Sequence, residues 1–476
     1  MPGDFNPHDI ERIYQGRFAE GALVELLSTG RDAFQKIFDA VKIARRFICL
    51  EFYIYRNDET GLELASLLKQ KVREGVKVYI LYDHFGSFGT PRSFWQDLKA
   101  SGVLVGASYG FKITTPLKYA HRDHRKLIIV DGETVFTGGL NIANEYSGFH
   151  LRKNRPWRDT GVILKGPVAL SILESFRKSW KIWGRGGALP GEHSVSHSFL
   201  KGLSGRHAAL RFPGSPGIEA GKTIASVQTG PDPLVINPLM AAAYGAPSGP
   251  VAADPGTGFT GGGTVPDAMN VSTGPGSYMA GAASEIGAGA SENGPLQVMP
   301  IFAGSGKGRR RLRRLLYFSM NRARKTIYVS TAYFAPSWRM LEILEAAAHR
   351  GVDTRLLLQG ATDAPVVRYA AMSCYKRLLE SGVRIFHYMG QVLHAKTYVF
   401  DGKWSIVGSA NLDFQSLRWN DEGNVGILDA GFGNSLGRLF EEDLGRSEEI
   451  TLTKWQTRPF SSKVKEKVFS VFRTRF

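Results

Sequence analysis

The stretch HRKLIIVD at residues 124–131 recurs as HAKTYVFD at residues 394–401. Both copies follow one pattern, in which His-x-Lys is followed by four residues and an aspartate. The agreement continues downstream, because each histidine is followed by a glycine 14 residues later and an asparagine 17 residues later. These residues are Gly138 and Asn141 in the first copy and Gly408 and Asn411 in the second. Two copies that agree at so many positions predict an internal duplication with the same chemical groups kept in both halves.

The composition limits the size and the partners of the protein. The chain of 476 residues is long enough for two domains or two fused repeats. Its 60 lysines and arginines outnumber its 43 aspartates and glutamates, which gives a net charge of +17. Such an excess favours a polyanionic partner, either nucleic acid or an anionic membrane surface, and a merely soluble basic surface is the alternative. No apolar run reaches the roughly 18 residues of a membrane-spanning helix, so any membrane contact is expected to be peripheral.

Apolar patterning predicts an α/β fold in each half. In the first half it predicts a helix from Ala22 to Ala44, a strand from Phe47 to Tyr55 and a helix from about Gly61 to Arg73. Strands and helices then alternate up to a helix from Pro167 to Trp183, and the second half repeats the order from about Leu296. We therefore expect two fused repeats, each a mixed, mostly parallel sheet flanked by helices, with the active site between them.

The segment between the two halves differs sharply in composition. Residues 223–306 contain no lysine or arginine, and residues 241–295 are rich in glycine, alanine, proline and serine. Such a segment buries too little apolar surface to offset its ordering entropy, so we expect a partly disordered insertion. The predicted divisions are a first repeat at 20–185, a linker and insertion at 186–295, a second repeat at 296–455 and a basic amphipathic tail at 456–476.

Two basic segments are candidates for surface contacts. In the tail, Val464, Val468, Phe472 and Phe476 fall on one helical face beside lysines and arginines, a pattern typical of an interfacial amphipathic helix. The second segment, residues 309–314, contains five arginines and leads into an apolar-faced helix. The alternative for both is a helix that packs on its own domain with a solvated basic face.

The His-x-Lys spacing indicates a site for an anion. Residues i and i+2 of a strand point to the same side, so His124 projects with Lys126, and His394 projects with Lys396. Two such pairs facing one another suit a phosphodiester, with one imidazole on each side for in-line displacement. A single His-x-Lys is usually structural, but the duplication favours catalysis. The residues predicted to bind the phosphate, besides the lysines, are Asn141, Asn411, Gly139 and Ser409.

A metal site is not expected. His121 and His124 lie close together, but Arg122, Arg125 and Lys126 crowd them with positive charge. The two cysteines of the chain, Cys49 and Cys374, lie in different halves; they suit neither a disulfide framework nor a cysteine metal site and suggest a reducing compartment. We therefore expect neither metal nor other cofactor, with the lysines supplying the positive charge.

The paired motifs resemble those of the phospholipase D superfamily. The resemblance rests on residues 138–141 (GGLN) and 408–413 (GSANLD) beside the two His-x-Lys motifs. Within the superfamily the chain is most similar to bacterial cardiolipin synthases of the type without N-terminal membrane spans. Residues 51–54 (EFYI) and 333–336 (YFAP) support this, and the resemblance covers most of residues 20–185 and 296–430.

The resemblance implies a phosphatidyltransferase that works in two steps through a phosphatidyl-histidine, without metal. It assigns attack on phosphorus to His124 and acid and base work to His394. It also implies an acid against each catalytic histidine, here Asp159 and, by position, Glu422. Asp131 and Asp401 belong to the catalytic motifs, but five residues along a strand they are expected to point away from the histidines and to support the sheet ends.

The resemblance also implies substrates and a location. We expect phosphatidylglycerol or a similar lipid as substrate, an anionic membrane as peripheral partner on the cytoplasmic side of the cell membrane, and no nucleic acid. The alternatives are a hydrolytic phospholipase D, a phospholipase D-type nuclease, which the charge of +17 allows, and a non-catalytic membrane scaffold.

Overall fold

The computed structural model describes residues 4–110, 121–151, 155–184, 189–191, 296–362 and 364–459. The predicted disorder of the 241–295 insertion and the predicted amphipathic helix at 464–476 therefore lie outside the described residues. Among the described residues, no helix is both long and apolar enough to cross a membrane.

The first repeat alternates strands and helices, with a helix N-terminal to it. Its strands are β1 (Ala19–Leu27), β2 (Phe47–Phe52), β3 (Lys77–Asp83), β4 (Leu104–Ser108), β5 (Lys126–Val130), β6 (Thr134–Gly138) and β7 (Gly161–Lys165). The helices are α1 (Pro7–Tyr14), α2 (Gly30–Ile43), α3 (Glu59–Arg73), α4 (Arg92–Ala100), α5 (Asn144–Ser147) and α6 (Pro167–Trp183).

The second repeat follows the same plan. Its strands are β8 (Leu296–Phe302), β9 (Thr326–Ser330), β10 (Phe334–Ala335), β11 (Asp353–Gln359), β12 (Arg384–Tyr388), β13 (Thr397–Phe400), β14 (Trp404–Gly408), β15 (Leu412–Asp413), β16 (Gly423–Leu428) and β17 (Ser447–Ile450). Its helices are α7 (Gly306–Arg322), α8 (Trp338–His349), α9 (Pro365–Met372), α10 (Tyr375–Glu380), α11 (Phe414–Arg418), α12 (Ala430–Leu444) and α13 (Leu452–Gln456).

Strand order confirms the duplication. Fifteen strands form one sheet in the order β17-β12-β11-β9-β13-β14-β16-β8-β1-β7-β6-β5-β2-β3-β4, while β10 and β15 pair separately. Counted outward from the junction of β1 and β8, equivalent strands of the two repeats occur in the same order. The two repeats are thus halves of one continuous sheet.

The prediction of a mostly parallel sheet was wrong. Only β2 with β3, β3 with β4, β9 with β11 and β11 with β12 pair in parallel within the large sheet. The motif strand of each repeat instead starts an antiparallel meander, β5-β6-β7 or β13-β14-β16. A tight turn causes the reversal, because Asp131 and Gly132 both have positive φ, as do Asp401 and Gly402.

The predicted helix from Ala22 to Ala44 was wrong in its first part. Residues 19–27 form β1, which pairs with β7 on one side and β8 on the other, so tertiary pairing overrides the helical spacing. The helix begins only at Gly30, after Thr29 accepts a hydrogen bond from the backbone N–H of Asp32.

Three large apolar clusters stabilise the fold. One belongs to the first repeat and one mainly to the second. The third cluster draws on both repeats, for example Leu127 and Val162 from the first and Val407 and Val425 from the second, all at most 1% exposed. Because close-packed interiors resist displacement, this shared cluster holds the two antiparallel meanders in a fixed relation.

Candidate active site

Each motif histidine is held by backbone from the other repeat. The N–H of His124 donates to the carbonyl of Asp421 at 2.8 Å, and the N–H of Asp421 donates to Arg122 at 2.8 Å. The N–H of His394 likewise donates to the carbonyl of Arg158 at 2.7 Å, while the N–H of Arg158 donates to Val392 at 2.8 Å. Each histidine is therefore anchored by the residue that precedes the acid of the opposite repeat.

The acid beside each histidine also comes from the other repeat. Nδ1 of His124 lies 3.0 Å from Oε2 of Glu422, and Nδ1 of His394 lies 2.7 Å from Oδ2 of Asp159. All four side chains are less than 10% exposed. Since Nδ1 of each ring faces a carboxylate, Nε2 lies on the opposite edge of the ring.

Both motif lysines are buried beside their histidines. Nζ of Lys126 donates to the carbonyl of His124 at 2.6 Å. Nζ of Lys396 lies 2.7 Å from Nδ1 of His394 and also donates to the carbonyl of that residue. Burial lowers the pKa of Lys126 to about 7, with the nearby charge of Lys396 adding to the effect and Glu422 opposing it. Because Lys126 and Lys396 repel each other, an anion bound between them would stabilise the charged form of both lysines.

The histidine–acid pairs differ in their electrostatics. Burial lowers the pKa of His124 to about 4; the charge of Glu422 opposes this shift, and the charges of Lys126 and Lys396 add to it. Burial also raises the pKa of Asp159 to about 6, although Lys396 works against this. Burial works to raise the pKa of Glu422, but its contacts with His124, Lys126 and the hydroxyl of Ser409 bring that pKa below its usual range. The imidazole of His124 is consequently neutral near pH 7, with a lone pair at Nε2.

The matched asparagines have their carbonyl oxygens turned to backbone. Oδ1 of Asn141 accepts from the N–H of Ile54 at 3.1 Å, and Oδ1 of Asn411 accepts from the N–H of Tyr333 at 3.2 Å. These hydrogen bonds fix each side-chain amide so that its NH₂ group points away from that backbone N–H. Nδ2 of Asn141 is buried without a hydrogen-bond partner, which leaves a donor for a substrate oxygen.

Gly139 and Ser409 occupy equivalent positions and both meet a carboxylate. A Cβ on Gly139 would lie 2.1 Å from Oδ1 of Asp159, so only glycine lets that acid reach its histidine. The hydroxyl of Ser409 donates to Oε2 of Glu422 and accepts from the N–H of Gly423 at 3.0 Å. Their predicted contact with a phosphate stays a prediction; the contacts in the structure orient the acids.

Asp131 and Asp401 lie at the far ends of the motif strands. The carboxylate of Asp131 accepts from the backbone N–H groups of Arg45, Arg46 and Phe47 at 2.7–2.9 Å. That of Asp401 accepts from residues 324–326 in the same arrangement. We therefore propose that both aspartates hold the start of the neighbouring strand and take no part in the chemistry.

Replacing Asp131 with asparagine tests this role. Asparagine tolerates the positive φ of 55° but loses charge-assisted hydrogen bonds, so we expect a stability loss of about 1–3 kcal/mol. The activity per folded molecule should stay near wild type, as measured by thermal unfolding and by turnover at a temperature below the transition. A loss of turnover greater than tenfold in a fully folded variant would contradict the structural role.

Three aromatic residues at the site were not singled out from the sequence. The ring of Tyr53 lies 5.0 Å from that of His124, with Nζ of Lys126 5.2 Å above it. Tyr146 and Trp157 lie 5.2 Å and 5.5 Å from the ring of His394. For two of them the sequence held a signal of proximity, since Tyr53 directly follows β2 and Trp157 directly precedes Arg158 and Asp159.

The described part of the site contains no metal-binding group: no three or more histidine, cysteine, aspartate or glutamate side chains there are arranged to hold a metal ion. The charges that face the histidines come from Lys126, Lys396, Asp159 and Glu422. Paired histidines, lysines and exchanged acids between two sheet halves define an enzyme of the phospholipase D class.

The comparison with known families gives the particular member of that class. The chain belongs to the family described as cardiolipin synthase, phospholipase D-like domain, whose model matches residues 37–180 and 316–444. It is therefore an enzyme of the phosphatidyltransferase type, and phospholipids are its substrate class.

Individual relatives agree with this assignment. The chain is 28% identical over 452 residues to the major cardiolipin synthase ClsA of Bacillus subtilis, an alignment that covers 95% of this chain and 75% of that protein. It is 29% identical over 431 residues to cardiolipin synthase A of Pseudomonas aeruginosa, covering 90% and 68% of the two chains. Among solved structures, phosphatidylserine synthase of Haemophilus influenzae has the same fold, with a TM-score of 0.61, 13% identity and coverage of 98% and 97%.

Proposed function

We propose that this chain is a cardiolipin synthase that moves a phosphatidyl group from one phospholipid to a hydroxyl of another through a phosphatidyl-histidine, without metal. The observation that carries the proposal is the exchange of acids, which sets one histidine of each repeat against a carboxylate of the other repeat, with a buried lysine beside each histidine.

In the first step Nε2 of His124 attacks phosphorus as the bond from phosphorus to the leaving alcohol breaks. His394, protonated at Nε2, gives its proton to the departing oxygen. Lys126, Lys396 and the free amide N–H of Asn141 stabilise the charge on the non-bridging oxygens. The products are the free alcohol and a phosphatidyl group on His124.

In the second step His394 acts as a base, after acting as an acid in the first. Its neutral imidazole takes the proton of an incoming lipid hydroxyl, whose oxygen attacks phosphorus while the bond from phosphorus to His124 breaks. His124 leaves as a neutral imidazole, and His394 is again protonated. With phosphatidylglycerol as donor and acceptor, the products are glycerol and cardiolipin.

The assignment of His124 to attack rests on its surroundings. A neutral imidazole is the nucleophilic form, and burial keeps the pKa of His124 near 4. Glu422 stays ionised and stabilises the positive charge that develops when the ring attacks phosphorus. Asp159, with its pKa raised to about 6, is the weaker counter-ion and suits the histidine that exchanges protons.

Contact with the membrane is proposed to be peripheral and on the cytoplasmic side. The net charge of +17 and the lipid substrate class support it. Part of the basic run at 309–314 is used within the fold, because Arg309 contacts Asp421, Arg311 contacts Gln15 and Arg313 contacts the carbonyl of Leu417. Of that run, Arg310 and Arg314 are exposed and available to anionic headgroups.

A vesicle assay tests the proposed reaction. Purified protein incubated with phosphatidylglycerol vesicles and excess EDTA is expected to form cardiolipin and glycerol in equal amounts, as measured by mass spectrometry of the lipids and assay of free glycerol. The His124→Ala variant is the control and should form neither product. Phosphatidic acid as the sole lipid product would show hydrolysis, and activity that EDTA abolishes and Mg²⁺ restores would refute the metal-free mechanism.

A further inference from the structure

The residue before each exchanged acid has a different partner in the two halves of the site. Asp421, before Glu422, accepts from Arg309 at 3.0 Å and from the hydroxyl of Tyr109 at 2.7 Å. Arg158, before Asp159, instead forms a two-point ion pair with Asp443. Equivalent positions thus carry opposite charges, and on the His394 side Arg158 forms an ion pair with an acid of the other repeat.

We propose that Arg158 and Asp443 form a clamp that positions His394 and Asp159 for reaction, and this rests on the proposed function. Nε of Arg158 lies 2.9 Å from Oδ1 of Asp443, and Nη2 lies 2.7 Å from Oδ2. Both residues are buried, at 7% and 4% exposure. Asp443 belongs to α12 of the second repeat, so the pair joins the two halves of the chain.

The same guanidinium fixes the segment that carries the acid. Nη1 of Arg158 donates to Oγ1 of Thr160 at 2.9 Å and to the carbonyl of Asp159. The backbone of Arg158 holds His394 through the hydrogen bond at 2.7 Å described above, and Asp159 holds Nδ1 of that ring. A change in the arginine therefore reaches both contacts that set the position of His394.

The consequence for catalysis follows from the sensitivity of proton transfer to geometry. A displacement of about 1 Å costs roughly 100-fold in rate when reacting groups are held in a near-attack arrangement. Arg158 and Asp443 act on His394 through the backbone of Arg158 and through Asp159, so they are positioning residues. Their loss should lower kcat and leave KM nearly unchanged.

Stability and positioning can be separated by removing the whole pair. The single variants Arg158→Met and Asp443→Leu each leave a buried charge unpaired and are expected to lower Tm as well as kcat. The double variant replaces both charges with apolar groups of similar size, so its Tm should return towards wild type. Its kcat should stay at least about tenfold low, because the segment at residues 158–160 is no longer held.

Two further variants keep the test decisive. Arg158→Lys keeps the charge but loses the two-point geometry, and it should fold and show reduced kcat with unchanged KM. Glu441→Gln is the matched control, because Glu441 lies on the same helix and pairs with Arg355 away from both motifs. It should leave kcat at the wild-type value.

Histidine N–H resonances report the clamp independently of turnover. In protein labelled with ¹⁵N-histidine, the Nδ1 signal of His394 should shift or broaden in Arg158→Lys and stay in place in Glu441→Gln. That result with an inactive wild type would support the clamp while the proposed function failed. A double variant with wild-type Tm and wild-type kcat, or an unchanged His394 signal in Arg158→Lys, would overturn the clamp.

Discussion

Replacing His124 with alanine is expected to lower kcat for transfer by about 10,000-fold or more, because the residue that forms the covalent bond to phosphorus is removed. Binding should persist, since both lysines and Asn141 are unchanged. The measurement is cardiolipin formation from phosphatidylglycerol in mixed micelles, with thermal unfolding as the check on folding.

The matched control for His124→Ala is His150→Ala. His150 is 42% exposed on its side chain and lies near Glu63, outside the exchanged pairs. This variant should keep wild-type turnover. A folded His124→Ala enzyme that retains more than about a hundredth of wild-type activity would contradict the role given to His124, because loss of a nucleophile costs far more.

Replacing His394 with alanine is expected to lower kcat on phosphatidylglycerol by about 100- to 10,000-fold, the usual contribution of general acid and base catalysis. The defect should depend on the leaving group. A p-nitrophenyl ester of phosphatidic acid releases a stable phenolate that needs no proton, so the first step should still proceed in this variant. The second step needs a base, so the phosphatidyl-enzyme should accumulate.

The expected readout is a burst of p-nitrophenolate close to one equivalent per enzyme, followed by slow turnover. His124→Ala should show no burst with the same substrate, which makes the two variants controls for one another. A burst from His124→Ala and none from His394→Ala would mean that the two histidines have the opposite roles.

The duplication and the side chains of the site could be predicted from the sequence, because the same residue spacing in two copies can be recognised without knowing how the chain folds between those residues. His124, Lys126 and Asn141 recur as His394, Lys396 and Asn411, and the structure brings the histidines and lysines of both sets to one place between the repeats. The alternation of helices and strands was also predictable, as α6 shows, because apolar periodicity reflects local burial.

What the sequence could not predict depends on contacts between distant residues. Strand direction after the motif depends on a turn in which Asp131 takes a positive φ, and the role of β1 depends on its two neighbours in the sheet. Asp159 and Glu422 each contact the histidine of the other repeat because of how the two halves face each other. Residue spacing within one repeat gives no information about that arrangement. The pairing of Arg158 with Asp443 is of the same kind.

The most direct test of two histidines sharing one phosphorus is to find the covalent intermediate. Wild-type enzyme mixed with phosphatidylglycerol can be quenched under alkaline denaturing conditions within the first turnover, digested and analysed by mass spectrometry. The mechanism predicts a phosphatidyl group on the peptide that contains His124, with one glycerol released per modified enzyme. Cardiolipin formed with no adduct on that peptide, or an adduct on His394, would contradict it.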